Sequence, residues 1–177
     1  MSRTAYELSD WQGYLTRPEI DFLKELAREL PESPVIINIG AGAGTSTLSF
    51  LEEREDAVVF SVDIKADESE VTTNEHLRLS EVSLDKANRA IRIWGDSKIV
   101  GKAWPYFVDM VFVDGDHSKE GVYGDIVAWY PKIKIGGIIA FHDYGSERWT
   151  AVKYVVDKAM IQKYAIGTIG SVKAFRS

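Results

Sequence analysis

The chain has 177 residues, 45% of them hydrophobic and 27% charged, with a formal net charge of −6 and a pI near 5.1. That length fits one ordinary domain, and an acidic balance argues against nucleic acid as a partner, because such binding rests on Lys and Arg at phosphates. The lack of cysteine removes disulfides, thiolate zinc sites and a cysteine nucleophile together, while a polar Met1 to Leu15 and the absence of any run near ~20 apolar residues point to a soluble cytoplasmic protein with no membrane partner.

Thr16 followed by Glu19 has the form of a capping box. Behind it Ile20, Leu23, Ala27 and Leu30 keep helical spacing, and Pro31 and Pro34 end the helix. Residues 1–34 are therefore expected as a helical segment packing on one domain that spans 1–177. Val35 to Ile39 is a β-branched run ending at Gly40, the mark of a buried strand. Thr45 to Glu53 reads as a helix and Ala57 to Asp63 as a second strand. The stretch from Ala66 begins as a loop and turns helical from Ser80 to Asn88. Ala90 to Trp94 is a third strand. Met110 to Val113, fully apolar, is a fourth and runs straight into Asp114-Gly115-Asp116-His117. Val122, Ile126 and Tyr130 mark one face of a helix. Gly136-Gly137 precedes a fifth strand, Ile138 to Phe141, which ends in His142-Asp143-Tyr144. Val152, Val155, Val156 and Ala159 keep helical spacing, and Tyr164 to Phe175 forms a hairpin turning near Gly170.

Strands alternating with helices predict an α/β, Rossmann-like three-layer sandwich. Its seven-stranded sheet is expected to be mostly parallel, with an antiparallel C-terminal hairpin. Ligands of such sheets sit beyond the carboxyl ends of the strands. Polar clusters fall there five times: Gly40 to Gly44, Asp63, Asp96, Asp114 and His142.

The turn Gly40-Ala41-Gly42-Ala43-Gly44-Thr45 joins a strand to a helix. Glycines let a ligand approach the backbone, and the helix start offers free N–H groups and a positive dipole end. A tight turn without a ligand is the plain alternative. Dinucleotide sites favour G-x-G-x-x-G, which would put a glycine at position 45, where this chain has Thr45. The spacing G-x-G-x-G instead resembles the first motif of class I methyltransferases, and Asp63 ends the next strand where either cofactor meets a carboxylate.

The later segments are more specific. Val113-Asp114-Gly115-Asp116-His117-Ser118, then Asp125, Trp129 and Pro131, then Gly136-Gly137 through Phe141-His142-Asp143-Tyr144 resemble a small family of class I S-adenosylmethionine-dependent methyltransferases. In that family strand four ends in D-G-D-H and strand five in H-D-Y. The resemblance runs from Gly13-Tyr14-Leu15-Thr16 to Thr150-Ala151-Val152, and its members include O-methyltransferases of sugars and natural products, some metal-dependent. It departs at Asn38, often acidic in such proteins, and at Lys119, usually aromatic. No insertion large enough for a lid follows strand five.

The resemblance implies S-adenosylmethionine as cofactor. Gly40, Ala41, Gly42, Gly44 and Thr45 would surround its methionine end, Asp63 its ribose, and Asp96 and Ser97 its adenine, though Asp96 also suits a loop cap. Asp114 would lie under the reactive centre. An oxygen acceptor must lose a proton, which calls for a base or a metal; Asp116 or His117 is the expected base. Related enzymes imply Mg²⁺ on Asp114, His142 and Asp143. Mg²⁺ prefers oxygen, so His142 would then either hydrogen-bond behind the carboxylates or favour a softer metal; the third alternative is no metal, with His142 and Asp143 shaping the acceptor pocket. The expected acceptor is a small molecule or glycan, and a lidless site leaves room for a homo-oligomer. The alternatives are an NAD(P)-dependent oxidoreductase, for which Tyr154 and Lys158 have a Tyr-x-x-x-Lys spacing, and a non-catalytic cofactor-binding module.

Overall fold

A computed structural model describes residues 4–12, 14–64 and 84–177. The expected loop and the start of the helix between Ala66 and Asn88 lie largely outside the described residues. In chain order the elements are α1 (Ala5–Gln12), α2 (Arg17–Arg28), β1 (Val35–Ile39), α3 (Thr45–Glu53), β2 (Val58–Asp63), α4 (Leu84–Arg89) and β3 (Ala90–Trp94). There follow α5 (Ser97–Ala103), β4 (Val108–Val113), α6 (Lys119–Trp129), a 3₁₀ turn (Tyr130–Lys132), β5 (Ile133–Phe141), α7 (Thr150–Ala159), β6 (Tyr164–Ile169) and β7 (Val172–Arg176).

The seven strands form one sheet in the order β3-β2-β1-β4-β5-β7-β6. β3, β2, β1, β4 and β5 pair in parallel. β7 enters between β5 and β6 and pairs antiparallel with both. The predicted α/β architecture and antiparallel hairpin are therefore present. Strand order reverses between β1 and β4, which opens the crevice where ligands of doubly wound sheets bind.

Side chains alternate across each strand, so the sheet feeds two cores. Ile36, Met110, Phe112, Ile138 and Ala140 face α2 and α3, where Ile20, Leu23, Leu48 and Phe50 are buried. Ile37, Ile39, Val111, Val113, Ile139 and Phe141 face the other side, under Val122, Ile126, Trp129, Val152 and Val156. β4 is buried along its whole length, in accord with its unbroken apolar run. Ala5 and Leu8 of α1 join the first core, so the N-terminal helices cover that face of the sheet.

The structure differs from the sequence reading at strand starts and at one helix: β4 begins at Val108, two residues before the expected Met110. β5 starts at Ile133, because Ile133 already pairs with Val108 before the ladder breaks and resumes at Ile138 opposite Met110. The Gly136-Gly137 pair sits inside that break and not ahead of the strand. The helix α5 carries no apolar periodicity in seven residues; its start is fixed by Asp96, whose Oδ1 accepts from Lys98 N at 2.8 Å.

Candidate active site

The carboxyl ends of β1, β2, β4 and β5 surround a cleft of about 920 Å³. Its floor is the β1–α3 turn. Gly40 has φ +79°, and a Cβ there would lie 2.0 Å from the carbonyl oxygen of Asp114, so only glycine lets β1 and β4 close together at this point. Gly42 has φ +49° with nothing within 4 Å of a Cβ position, because that side of the turn is open space. Gly44, at φ 87°, caps α3. The Gly42 N–H donates to Asp63 Oδ2 at 3.3 Å, which ties the end of β2 to the turn. Thr45 Oγ1 is buried in the same wall and has no hydrogen-bond partner among the described residues. Asn38 is fully buried beneath, donating to Ser46 Oγ at 3.0 Å and Thr47 Oγ1 at 2.8 Å, so it braces α3 against the sheet.

Asp96 and Ser97 line the cleft beside Asp63. Asp96 is the N-cap of α5, and the Ser97 hydroxyl donates to Asp125. Burial holds the Asp125 carboxyl up, at about 6, against the opposing Ser97 hydrogen bond.

Across the cleft, β4 and β5 deliver the acidic cluster. Asp114 Oδ1 lies 3.0 Å from His142 Nδ1. His117 Nε2 lies 2.8 Å from Asp143 Oδ2 and 3.8 Å from Asp114 Oδ1. The imidazole stacks on Trp149, with ring centroids 4.5 Å apart. Hydrogen bonding to Asp114 and Asp143 draws the His117 pKa up to about 9, against a smaller opposing effect of burial. Nε2 is buried, and the Asp143 carboxylate is the nearer of its two acidic neighbours. Asp143 sits at φ 56°, a left-handed conformation that asparagine and aspartate tolerate better than most residues and that recurs at functional sites. Burial alone would raise its carboxyl, but His117 and His142 hold it below the usual range.

Three ligand atoms, one each from Asp114, His117 and Asp143, lie within 4.8 Å of one another. The histidine of this group is His117, whereas the sequence pointed to His142. His142 is 8% exposed and lies behind the two carboxylates, its Nδ1 also 3.5 Å from Asp143 Oδ2. Burial works against its protonation, but the Asp114 hydrogen bond and the neighbouring carboxylates prevail and raise its pKa. Asp116 is exposed, and both its oxygens accept from Ser118, from N at 2.9 Å and from Oγ at 3.0 Å. These bonds keep its carboxyl ionised below the ordinary range.

Sequence reasoning passed over Trp149, Arg148 and Tyr14 as site residues, although all three line the cleft. An aromatic just past a histidine-aspartate turn is a weak signal, since nothing local says that it stacks on His117 from another loop. Tyr154 and Lys158 do meet, Lys158 Nζ donating to Tyr154 Oη at 2.6 Å, but in a separate groove of about 380 Å³ with Lys119 and Tyr123.

Fold and site together define a doubly wound α/β protein whose ligand crevice lies at the switch point between β1 and β4. The family described as "Methyltransferase domain" matches residues 37–144, and the chain belongs to it. An uncharacterized protein of Acanthamoeba polyphaga mimivirus is 35% identical over 66 residues; the match takes in 34% of this chain and 30% of that relative. The S-adenosylhomocysteine-bound methyltransferase PaMTH1 of Podospora anserina superposes with a TM-score of 0.77 at 15% identity, covering 99% of this chain and 88% of its own. The O-methyltransferase NovP gives 0.64 at 17% identity, covering 89% and 78%. MycE, of the mycinamycin biosynthetic pathway and solved with Mg and S-adenosylhomocysteine, gives 0.67 at 14%, covering 100% and 55%. At such identities the likeness is one of fold.

Proposed function

We propose that this protein transfers a methyl group from S-adenosylmethionine to a hydroxyl of a small molecule or sugar. One observation carries the reading: a single cleft holds an open glycine turn tied to Asp63 on one wall and the Asp114–His117–Asp143 cluster on the other. The proposal takes the whole chain as one catalytic domain working in the cytoplasm, without nucleic acid or membrane.

The residues fit the cofactor. The open side of Gly42 and the orphaned Thr45 Oγ1 supply a cradle with an unsatisfied polar group, and Asp63 supplies an acceptor for ribose hydroxyls. When bound, S-adenosylmethionine provides an electrophilic methyl on a sulfonium. The work left to the chain is placement and proton handling. Gly40, Ala41, Gly42, Gly44 and Thr45 would hold its methionine end, Asp96 and Ser97 would face its adenine, and Asp114 would border the transferred methyl. His117 receives the acceptor's proton at Nε2 in its neutral form, with the Asp143 carboxylate 2.8 Å away to stabilise the charge; because its pKa is drawn up to about 9, methyl transfer is expected to rise with pH toward that value. Asp116 stays with its turn, because Ser118 occupies both oxygens.

The cluster also fits a divalent cation. Two carboxylates and an imidazole converge, each offering one ligand atom. Asp114, His117 and Asp143 would hold the ion, which would supply Lewis acidity to the acceptor hydroxyl; His142 then orients Asp114 from behind.

Cofactor identity is tested by thermal shift with S-adenosylhomocysteine, NAD and NADP. A ligand at 100 times its Kd adds about 2.7 kcal/mol, or roughly 5–10 °C for a chain of this size. S-adenosylhomocysteine alone is expected to act, and Asp63→Ala to abolish the shift. A shift with NAD alone would replace this reading with an oxidoreductase; the separate position of Tyr154 and Lys158 speaks against that outcome. Chelator followed by Mg²⁺ or Mn²⁺ decides the metal: full methyl transfer in chelator leaves His117 to act alone.

A further inference from the structure

Glu19 lies on α2, outside residues 37–144 of the family match, yet it is 3% exposed and reaches the back of the site. Its Oε2 accepts from Thr16 N at 2.7 Å and Thr16 Oγ1 at 2.8 Å. Its Oε1 accepts from Ser171 N at 2.6 Å and Ser171 Oγ at 2.7 Å, in the turn between β6 and β7. The same Oε1 stands 3.9 Å from His142 Nε2, while His142 Nδ1, across the ring, is 3.0 Å from Asp114 Oδ1. The β6–β7 turn is shaped around this carboxylate: a Cβ on Gly170 would fall 2.5 Å from Oε1.

A capping box accounts for the bond from Thr16 N. It does not account for burial, for the two bonds from Ser171, or for the approach to His142. Burying a carboxylate is costly unless hydrogen bonds replace its water, and four donors do so here. A carboxylate oxygen lies on each side of the ring, Asp114 Oδ1 within hydrogen-bond range of Nδ1 and Glu19 Oε1 3.9 Å from Nε2, so the negative charge of both acts on the orientation of the imidazole.

We propose that Glu19 is a positioning residue of the site: it holds His142 from behind and thereby fixes the Asp114 carboxylate within the cluster with His117 and Asp143. The proposal rests on the reading of that cluster as the place of methyl transfer. It makes the N-terminal helix and the C-terminal hairpin, both outside the matched domain, parts of the site's rigid backing. Removing outer partners of ligating groups typically lowers metal affinity or activity 10–100-fold.

The test uses the full chain and compares Glu19→Gln, His142→Gln and their double variant. A Thr16→Ala/Ser171→Ala pair removes two hydroxyl donors but leaves the Glu19 carboxylate facing His142. The readouts are the ¹⁵N resonances of the His142 ring, Mn²⁺ affinity by calorimetry, and S-adenosylhomocysteine affinity. Glu19→Gln is expected to shift the His142 resonances, weaken Mn²⁺ about tenfold, and leave S-adenosylhomocysteine within about twofold. In the His142→Gln background it is expected to add nothing, since two residues acting through one contact are not additive. The Thr16/Ser171 pair is expected to lower the melting temperature without moving the His142 resonances. Glu19→Asp, which keeps the charge and draws it back one methylene, carries the same test if the Gln variant does not fold. Unmoved His142 resonances in the Glu19 variants, or Glu19 and His142 effects that simply add, overturn the proposal. Failure of the wild type to bind S-adenosylhomocysteine or Mn²⁺ would count against the proposed function or its metal, while the His142 resonances still decide the role of Glu19.

Discussion

Two glycines of one turn do opposite jobs, and substitution separates them. Alanine at Gly40 would put a Cβ 2.0 Å from the Asp114 carbonyl oxygen, a backbone clash that the β1–β4 junction cannot absorb. Gly40→Ala is expected to unfold the chain or lower its melting temperature by more than 10 °C, on the scale of ~2–4 °C per kcal/mol. Alanine at Gly42 meets no atom within 4 Å and incurs only the strain of positive φ, about 1–2 kcal/mol. Gly42→Ala is therefore expected to stay folded and to lose S-adenosylhomocysteine affinity at least tenfold by calorimetry; equal losses of stability in the two variants would refute the distinction. Asp125 makes a second prediction, in pH. Burial raises its folded pKa from the ordinary 3.8 to about 6, so the folded state holds the proton more tightly than the unfolded chain. Its contribution to stability is thus fully present below the unfolded pKa and is lost as pH climbs from about 4 through 6, by about 3 kcal/mol in all. Asp125→Asn keeps an acceptor for Ser97 and removes the titration. Urea unfolding at pH 4.5, 6 and 8 should show the variant gaining on the wild type as pH rises; a constant gap between them would contradict the assignment.

The starts of β1, β4 and β5 are stitched by one aspartate. Asp109 is 1% exposed, takes Val35 N at 2.9 Å, and meets Lys134 Nζ at 2.8 and 2.9 Å. Lys134 comes from the break in β5, which turns its side chain back toward β4. Losing the carboxylate strands both donors, whereas losing the half-exposed lysine leaves a charge that keeps its bond to Val35. Asp109→Ala is expected to cost about 3 kcal/mol and Lys134→Ala about 1 kcal/mol. Chemical denaturation of both variants checks the order, and a larger loss for Lys134→Ala would reverse the argument. The turn after β4 behaves as an element too. Asp116→Ala removes two bonds to Ser118 and is expected to cost about 1 kcal/mol of stability with methyl transfer within a fewfold of wild type. His117→Ala is expected to lose at least ~10²-fold. Comparable rates in the two variants would place the proton elsewhere.

For the whole molecule, the net charge of −6 and pI near 5.1 predict poorest solubility near pH 5, where self-repulsion vanishes; light scattering from pH 4 to 8 checks it. Among the described residues no helix is long and apolar enough to cross a membrane. The sequence by itself determined the layered α/β fold, because buried parallel strands need unbroken apolar runs and their helices need a 3.6-residue stripe, and both periods are local. It also marked the glycine turn and the acidic strand ends, since the types of residue that tolerate positive φ or carry charge are few. Tertiary structure decided what crosses between elements. It set β7 between β5 and β6, a matter of pairing at a distance. It brought His117 beside the same two carboxylates that His142 approaches from β5, because side-chain direction at a strand end depends on neighbouring loops and on Trp149 stacking from another segment. It turned Glu19 from a helix cap into a buried contact behind the site, since only the folded hairpin brings Ser171 and only β5 brings His142 to a carboxylate that is more than a hundred residues away along the chain.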